Sequence, residues 1–356
     1  MEKKDIYINA IGIANPPCRI DQKEAARLVQ EHYGNVLKKS SMGLLLQVLR
    51  HRGIESRYFS VDSPEDIVAL KNEDPDERNT RFTQWAVSLA VSSAEKAMRG
   101  AGIAPGDVSA LIVNTCTGYI CPGIATYCLE PLRLSSDTFA FDMVGSGCGG
   151  ALPNLAMGAA LLERGAHGPV ICIAVEICTA TFQMGDDPSL LISNAIFGDG
   201  AAAAVLSNEP HGLRLRASAS RFLPQYRDDV RYVYKNGQLH NRLTARLPEV
   251  ICRHVPPFLR DFLERQGSSI GKIGSWALHP GGDKMVVGLM RELSLSDAQI
   301  APTRSIMKEY GNMSSPTVLF ILEKIMREPH GEDELCLAAA YGAGLSMHAC
   351  LLQQTR

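Results

Sequence analysis

Between residues 87 and 102, apolar side chains return at intervals of three and four. Leu89, Ala90, Ala94, Ala97 and Met98 therefore share one face of a predicted helix. Gly100 and Gly102 end it, because glycine accepts the positive φ that helix termini use. A continuous apolar run, Ala110 to Val113, follows and stops at polar Asn114, which reads as a short buried strand. The plan then recurs. Residues 255–280 carry Phe258, Leu259, Phe262 and Leu263 on one helical face, Gly267 as the stop, and a strand Trp276–Leu278 ending at His279. When the two copies are laid over each other without gaps, His279 falls on Asn114.

Two further pairs keep nearly the same offset. Residues 141–165 match 305–329: in each, a strand is expected to enter a glycine turn, and a long helix follows. Cys148 and Asn312 each stand directly after the turn glycine, Gly147 and Gly311. The apolar runs at 170–177 and 334–342 form the third pair and read as strands covered on both faces. The turn at 198–202 leads into two more expected strands. Similar βα units also arise without duplication. Here, however, the chemically distinctive residues coincide along with the pattern. The expectation is two copies of one α/β unit with mainly parallel strands, residues 1–190 and 191–356, the second beginning near Asp186–Pro188.

Composition narrows the classes. With 356 residues, 46% hydrophobic and 21% charged, the chain has material for a large core. A net charge of -2 gives no reason to expect nucleic acid or a membrane surface as partner. The 10 cysteines include no Cys-x-x-Cys pair or short-spaced Cys/His cluster, so no metal site is expected. The start, MEKKDIYINAIG, lacks a leader's apolar stretch, and no apolar run reaches membrane-spanning length. A cytoplasmic, reducing compartment with free thiols is the expectation.

Three residues carry candidate chemistry. Cys148, in GSGCGGALPNL, precedes a helix whose N-terminus favours thiolate, and the flanking glycines allow N–H groups to approach a ligand. That suits a nucleophile forming a thioester, though a buried free cysteine is also often only structural. His279 ends a buried strand before Pro280-Gly281-Gly282, placed to pair with the thiol, or to serve as an interior hydrogen-bonded histidine. The other eight histidines stand in polar contexts and read as ordinary. Asn312 is expected to begin a helix, where asparagine is commonly an N-cap. If the two glycine turns meet at a pseudo-twofold axis, Cys148 faces Asn312 with His279 beside them. Cysteine with histidine alone fits a thiol hydrolase. Asparagine as third member points to holding an enolate oxygen while a malonyl unit loses carbon dioxide.

These segments resemble the type III polyketide synthases, the chalcone and stilbene synthase family within the thiolase fold. The resemblance covers nearly the whole chain and is carried by GCGGA, WALHPGGDKMV and EYGNMSSPTVLFILE, supported by IFGDGAAAAVL and YGAGLS. It implies a layered αβαβα fold with two mixed sheets and buried central helices. It implies that Cys148 is acylated by a starter acyl-CoA, and that His279 and Asn312 bind malonyl-CoA for decarboxylative condensation. Repeated extension and cyclisation would follow, with coenzyme A thioesters as substrates and no cofactor.

The resemblance further implies a homodimer, with Cys121 reaching the partner's cavity, and Phe197 as an aromatic gate. Cys116, Cys178, Thr181, Ser193 and Ser314 would line the cavity. Asn241 falls where plant enzymes carry a second aromatic gate. Arg50, His51, Arg52 and Arg57 would meet the CoA phosphates, although a solvated basic face reads the same way. Ala343 replaces a proline of the plant pattern and, with the small cavity set, points to the bacterial-type branch. An aliphatic starter leading to a pyrone or resorcinol is the expected chemistry. An initiating ketoacyl carrier-protein synthase and an inactive acyl-CoA-binding homologue are the alternatives.

Overall fold

The computed structural model describes residues 4–329, 331 and 333–355; residues 1–3, where the segment read above for a leader begins, lie outside the described residues. A buried strand β1 (Tyr7–Ala14) comes first. The paired strands β2 (Cys18–Asp21) and β3 (Ser56–Phe59) then bracket helices α1 (Gln22–Tyr33) and α2 (Lys39–Leu49). One turn, α3 (Asp66–Ala69), leads to α4 (Pro75–Ala101), the long helix marked by the apolar face at Leu89 to Met98. Asp74 and Glu77 form a capping box at its start, and Gly102 ends it at φ 66°. Gly100 lies inside the helix rather than beyond it.

The first half continues with β4 (Ala110–Thr115), α5 (Ile124–Leu129), β5 (Phe139–Val144), α6 (Ala151–Glu163), β6 (Val170–Glu176), α7 (Pro188–Ile196) and β7 (Gly200–Ser207). The second comprises β8 (Leu213–Phe222), the hairpin β9 (Val230–Lys235) and β10 (Gln238–Leu243), and α8 (Leu247–Arg265). It goes on through β11 (Ile273–Leu278), α9 (Asp283–Leu293), α10 (Asp297–Tyr310), α11 (Thr317–Arg327), β12 (Leu335–Gly342) and β13 (Ser346–Gln354).

The duplication is visible in the pairing. β4 runs parallel to β6 and β11 parallel to β12, while β6–β7 and β12–β13 are antiparallel. The two mixed half-sheets are hydrogen-bonded into one order, β11-β12-β13-β8-β1-β7-β6-β4-β5. Among the described residues they meet at a short seam, Tyr7↔Arg214 and Ile8↔Leu213, continued by the Leu215 N–H donating to the Ile6 carbonyl at 2.8 Å. Between them lie α6 and α11, whose Leu152, Leu155, Leu319 and Phe320 join strand residues from both halves in one core. Helix α4 covers the outer face of the first half-sheet, and α8 and α9 that of the second. The result is the expected αβαβα layering.

Two local expectations change. The strand expected at 305–310 is the last part of α10. A capping box of Ser296 and Gln299 starts that helix, and Ile300, Thr303, Ile306 and Met307 are buried at helical spacing. The second copy thus has a helix where the first has its edge strand β5. The expected boundary at 190 falls inside α7, whereas the change of half-sheet comes at 208–212, because β7 returns to pair with β1 and β6. Among the described residues no helix is long and apolar enough to cross a membrane.

Candidate active site

After β5, Gly145 at φ 94° and Gly147 at φ 57° turn the chain into a single helical turn, Gly147–Gly149, directly before α6. The glycines here were expected to admit a ligand, but they admit another part of the chain. A Cβ on Gly147 would lie 2.7 Å from the Ala343 nitrogen, and one on Gly342 would lie 2.5 Å from the Gly149 nitrogen. The segment after β12 is thereby locked against the backbone that carries Cys148.

Cys148 meets the other half through Ser314. The Ser314 hydroxyl donates to Cys148 Sγ at 3.2 Å and lies 3.4 Å from Cys116 Sγ. Behind it sits Glu176, fully buried at the end of β6. Its carboxylate accepts from Ser315 at 2.5 Å, Thr117 at 2.9 Å, the Cys116 N–H at 2.9 Å and Thr115 at 3.2 Å. Asn114, in the place matching His279, donates to Ser315 at 2.9 Å and accepts from Asn154 at 3.0 Å. A continuous buried polar chain thus runs from α6 to the surroundings of Cys148.

His279 follows β11 and is fixed by its own N–H, which donates to the Ala339 carbonyl at 2.8 Å. Its ring stands edge-on to Tyr341, 5.5 Å between centroids. Its Nδ1 is buried with no partner among the described residues. Burial dominates the electrostatics: it pushes the Cys148 thiol up to about 12 and holds His279 down at about 3. The Ser314 bond lowers the thiol and the nearby Glu176 charge raises it further. The free site therefore rests with both groups neutral, against the expectation that helix field and imidazole leave a thiolate.

Asn312 is not a helix N-cap. Helix α11 starts at Thr317, and the Asn312 Oδ1 instead accepts from the Ser314 N–H at 2.8 Å. Its backbone bridges Phe197 at the end of α7. Phe197 is half-buried there. So Asn312, Phe197 and the serine that contacts Cys148 belong to one joined turn.

The remaining expected residues separate. Cys178 and Thr181 are buried in the turn after β6, and Cys116 lies across Ser314 from Cys148. The Ser193 hydroxyl is engaged within α7 by the Ser189 carbonyl at 2.6 Å. Asn241 is buried on β10, and Cys121 is exposed. Arg50, His51 and Arg52 are exposed, with His51 3.8 Å from Asp283. Arg57 does not belong with them: it is 2% exposed, and its donors are engaged by Gln22 and the carbonyls of Asn194 and Phe197. A phosphate cannot reach it.

Sequence reasoning missed three groups. Tyr232, on β9, hydrogen-bonds Thr181 and lies in the neighbourhood of Cys116, Cys178 and Cys148, where burial raises its hydroxyl well above the ordinary value. The signal was present in Asn236-Gly237: a two-residue hairpin turn there pairs 232 with 241, as β9 and β10 do. Glu176 gave no signal in its apolar strand. His348 is not ordinary: it is buried, bonds Ser220 at 2.7 Å, and packs against Gly149.

Residues 3–222 match the family described as FAE1/Type III polyketide synthase-like protein, and residues 214–355 match the C-terminal domain of chalcone and stilbene synthases. The chain is 26% identical to the alpha-pyrone synthesis polyketide synthase-like Pks18 of Mycobacterium tuberculosis, over 98% of this chain and 91% of the relative. Among solved structures it is similar to PKS-I of the brown alga Ectocarpus siliculosus, with TM-score 0.90, 25% identity and 99% of each chain covered. It is also similar to the C-terminal type III polyketide synthase domain of Steely1 from Dictyostelium. There the TM-score is 0.92 at 22% identity, covering 99% of this chain and 100% of that one, a likeness of fold.

Proposed function

Because the chain belongs to the type III polyketide synthases, the family that includes the chalcone and stilbene synthases, we propose that Cys148 is its nucleophile and that His279 and Asn312 hold the malonyl thioester. The enzyme is an acyl-CoA condensing transferase. In the proposed sequence, Cys148 gives its proton to His279 and its sulfur attacks the starter thioester; as that C–S bond breaks, the departing coenzyme A thiolate takes the proton back from His279, which returns to neutral. Burial opposes either charge alone, but thiolate and imidazolium formed together attract strongly in a dry site. Neutral His279 and the Asn312 amide then polarise the malonyl thioester carbonyl. Carbon dioxide leaves, and the bond it breaks leaves its electron pair on the α-carbon as an enolate. That carbon attacks the acyl group on Cys148 and regenerates the thiolate. Decarboxylation itself supplies the carbanion, so coenzyme A thioesters suffice as substrates. The observation that carries this reading is the Ser314 bond, which ties the Asn312 turn to Cys148.

The nucleophile thus comes from the first half and the enolate-holding pair from the second. The small side chains of Cys116, Cys178 and Thr181 support a slim aliphatic starter, and the alpha-pyrone relative supports a pyrone product. Phe197 is placed as the gate, and Arg50, His51 and Arg52 as the phosphate contacts. Tyr232 favours a second reading. Its hydroxyl hydrogen-bonds Thr181 in the neighbourhood of Cys116 and Cys178, and a polar group there supports a short polar starter such as malonyl itself.

We also place the enzyme in the cytoplasm as a homodimer. The edge strand β5 presents Phe139 and Val144 at 57% and 56% exposure, and Tyr119 and Cys121 are exposed as well. Light scattering of the purified chain at micromolar concentration tests this; a monomer mass overturns it.

The test of function is mass spectrometry of products formed from malonyl-CoA with acetyl to stearoyl, benzoyl and coumaroyl-CoA starters. Extended products that vanish in Cys148→Ala are expected. No extended product from any starter overturns the reading.

A further inference from the structure

Helix α7 ends at Ile196, and a helix leaves its last carbonyls without partners of its own. Here those of Asn194, Ala195 and Ile196 are met from distant parts of the chain. Arg57 Nη1 donates to the Asn194 carbonyl at 2.7 Å and to that of Phe197 at 2.8 Å. Gln22 donates to the Ala195 carbonyl at 3.0 Å, while its own oxygen accepts from Arg57 Nε at 3.0 Å. The Ile196 carbonyl is met by the N–H of Asn312 at 2.9 Å, and the Gly198 N–H returns a bond to the Asn312 carbonyl at 3.0 Å. The backbone of Asn312 is therefore hydrogen-bonded, on both its N–H and its carbonyl, to the helix end that Arg57 and Gln22 hold.

The segment that carries Arg57 also fixes the other flank of Asn312. The Glu55 N–H donates to the Lys308 carbonyl at 2.7 Å and the Ser56 hydroxyl to that of Glu309 at 2.7 Å, both in the last turn of α10. The arginine fills the space between: a Cβ on Gly311 would lie 2.7 Å from Arg57 Cγ, and one on Gly198 3.3 Å from Arg57 Cβ. Its charge is matched by Asp199, which is itself held by the Ser60 and Thr179 N–H groups at 2.7 and 2.9 Å. A planar fork spans two carbonyls from one nitrogen while its Nε reaches a third group; a lysine ammonium has no such fork.

We infer that Arg57 is a positioning residue for malonyl decarboxylation, acting through the α7 end on Asn312 and Phe197. The inference rests on the reading of Asn312 given above. The hydrogen bonds of Arg57 go to Gln22 and the α7 end, not to the Cys148 turn. They reach Cys148 only indirectly, through Asn312 and Ser314, so loss of Arg57 is expected to impair extension much more than starter loading. That split separates positioning from general structural damage, which lowers both.

The test measures two rates in one preparation: Cys148 acylation by a starter acyl-CoA, read by intact mass, and carbon dioxide release from malonyl-CoA. In Arg57→Lys, acylation stays within about 2-fold of wild type. The decarboxylation kcat falls at least about 10-fold, the scale of a sub-ångström to ångström misplacement. Equal losses in both rates, or no loss in either, overturn the inference. If Arg57→Lys does not fold, Gln22→Ala decides by the same two rates, with a decarboxylation loss of about 3-fold expected. Asn312→Ala is run in parallel. If it decarboxylates normally, the reading of Asn312 fails; if it is inactive while the Arg57 and Gln22 variants are unimpaired, only the Arg57 inference fails.

Discussion

The hydroxyl of Ser314 donates to the sulfur of Cys148 across 3.2 Å, joining residues from opposite halves of a duplicated chain. A donor to sulfur favours thiolate, so the bond opposes the burial that raises this thiol. Ser314→Ala is expected to slow iodoacetamide alkylation of Cys148 about 3- to 10-fold at neutral pH. The pH midpoint of the reaction moves upward. An unchanged rate profile contradicts the assignment of that bond.

Glu176 acts in the opposite sense, since its charge raises the Cys148 thiol while its oxygens hold five donors, Ser314 among them at 3.5 Å. Glutamine in its place puts an amide NH2 against some of those donors, which costs about 1–3 kcal/mol. Glu176→Gln is therefore expected to lower the unfolding midpoint and yet speed Cys148 alkylation. Loss of stability with slower alkylation contradicts this.

Tyr232 hydrogen-bonds Thr181 near Cys116 and Cys178, the residues proposed to line the starter cavity. Tyr232→Ala opens that space while leaving the β9–β10 backbone pairing intact. The ratio of kcat/KM for dodecanoyl-CoA over acetyl-CoA is expected to rise by about 10-fold or more. Competition assays with the two starters measure it directly, and an unchanged ratio removes Tyr232 from starter selection.

His279 is held at about 3 in the folded chain, against 6.5 for an unperturbed histidine. Between these values the unfolded chain binds a proton that the folded chain refuses. Stability from this group is complete above pH 6.5 and is lost as pH falls toward 3. His348, held at about 4, acts in the same direction. Denaturant midpoints are expected to decline from pH 7 to pH 4, and His279→Gln to flatten that slope. An equally steep decline in the variant contradicts the assignment.

The duplication was legible because strands and helices write their periods locally, and the constant offset between the copies survives in His279 and Asn114. Where a residue's role depends on which side chain meets it from a distant element, the chain says less. Asn312 reads as an N-cap because its neighbours do, but it bonds Ser314 ahead of the point where the following helix begins. Arg57 lies in a basic stretch, yet its partners are on α7, far along the chain. The strand expected at 305–310 failed for a local reason, since Ile300, Thr303 and Ile306 already spell a helix. Tyr232 was recoverable from the hairpin turn alone. Glu176 was not, because a single acid in an apolar strand shows nothing of the donors that will surround it.

The repeat sets one more pair side by side. Tyr341 answers Glu176 at the corresponding level of β12 and β6, by the same offset that relates His279 to Asn114. One copy carries an amide and a carboxylate there; the other carries an imidazole and a phenol. A symmetric pair would have carried two identical half-sites facing each other, with no difference between them to assign separate tasks. Divergence at these few strand ends, with the scaffold left alone, is enough to turn a mirror into a division of labour. It also means that grafting one copy's residues onto the other should erase the site rather than double it.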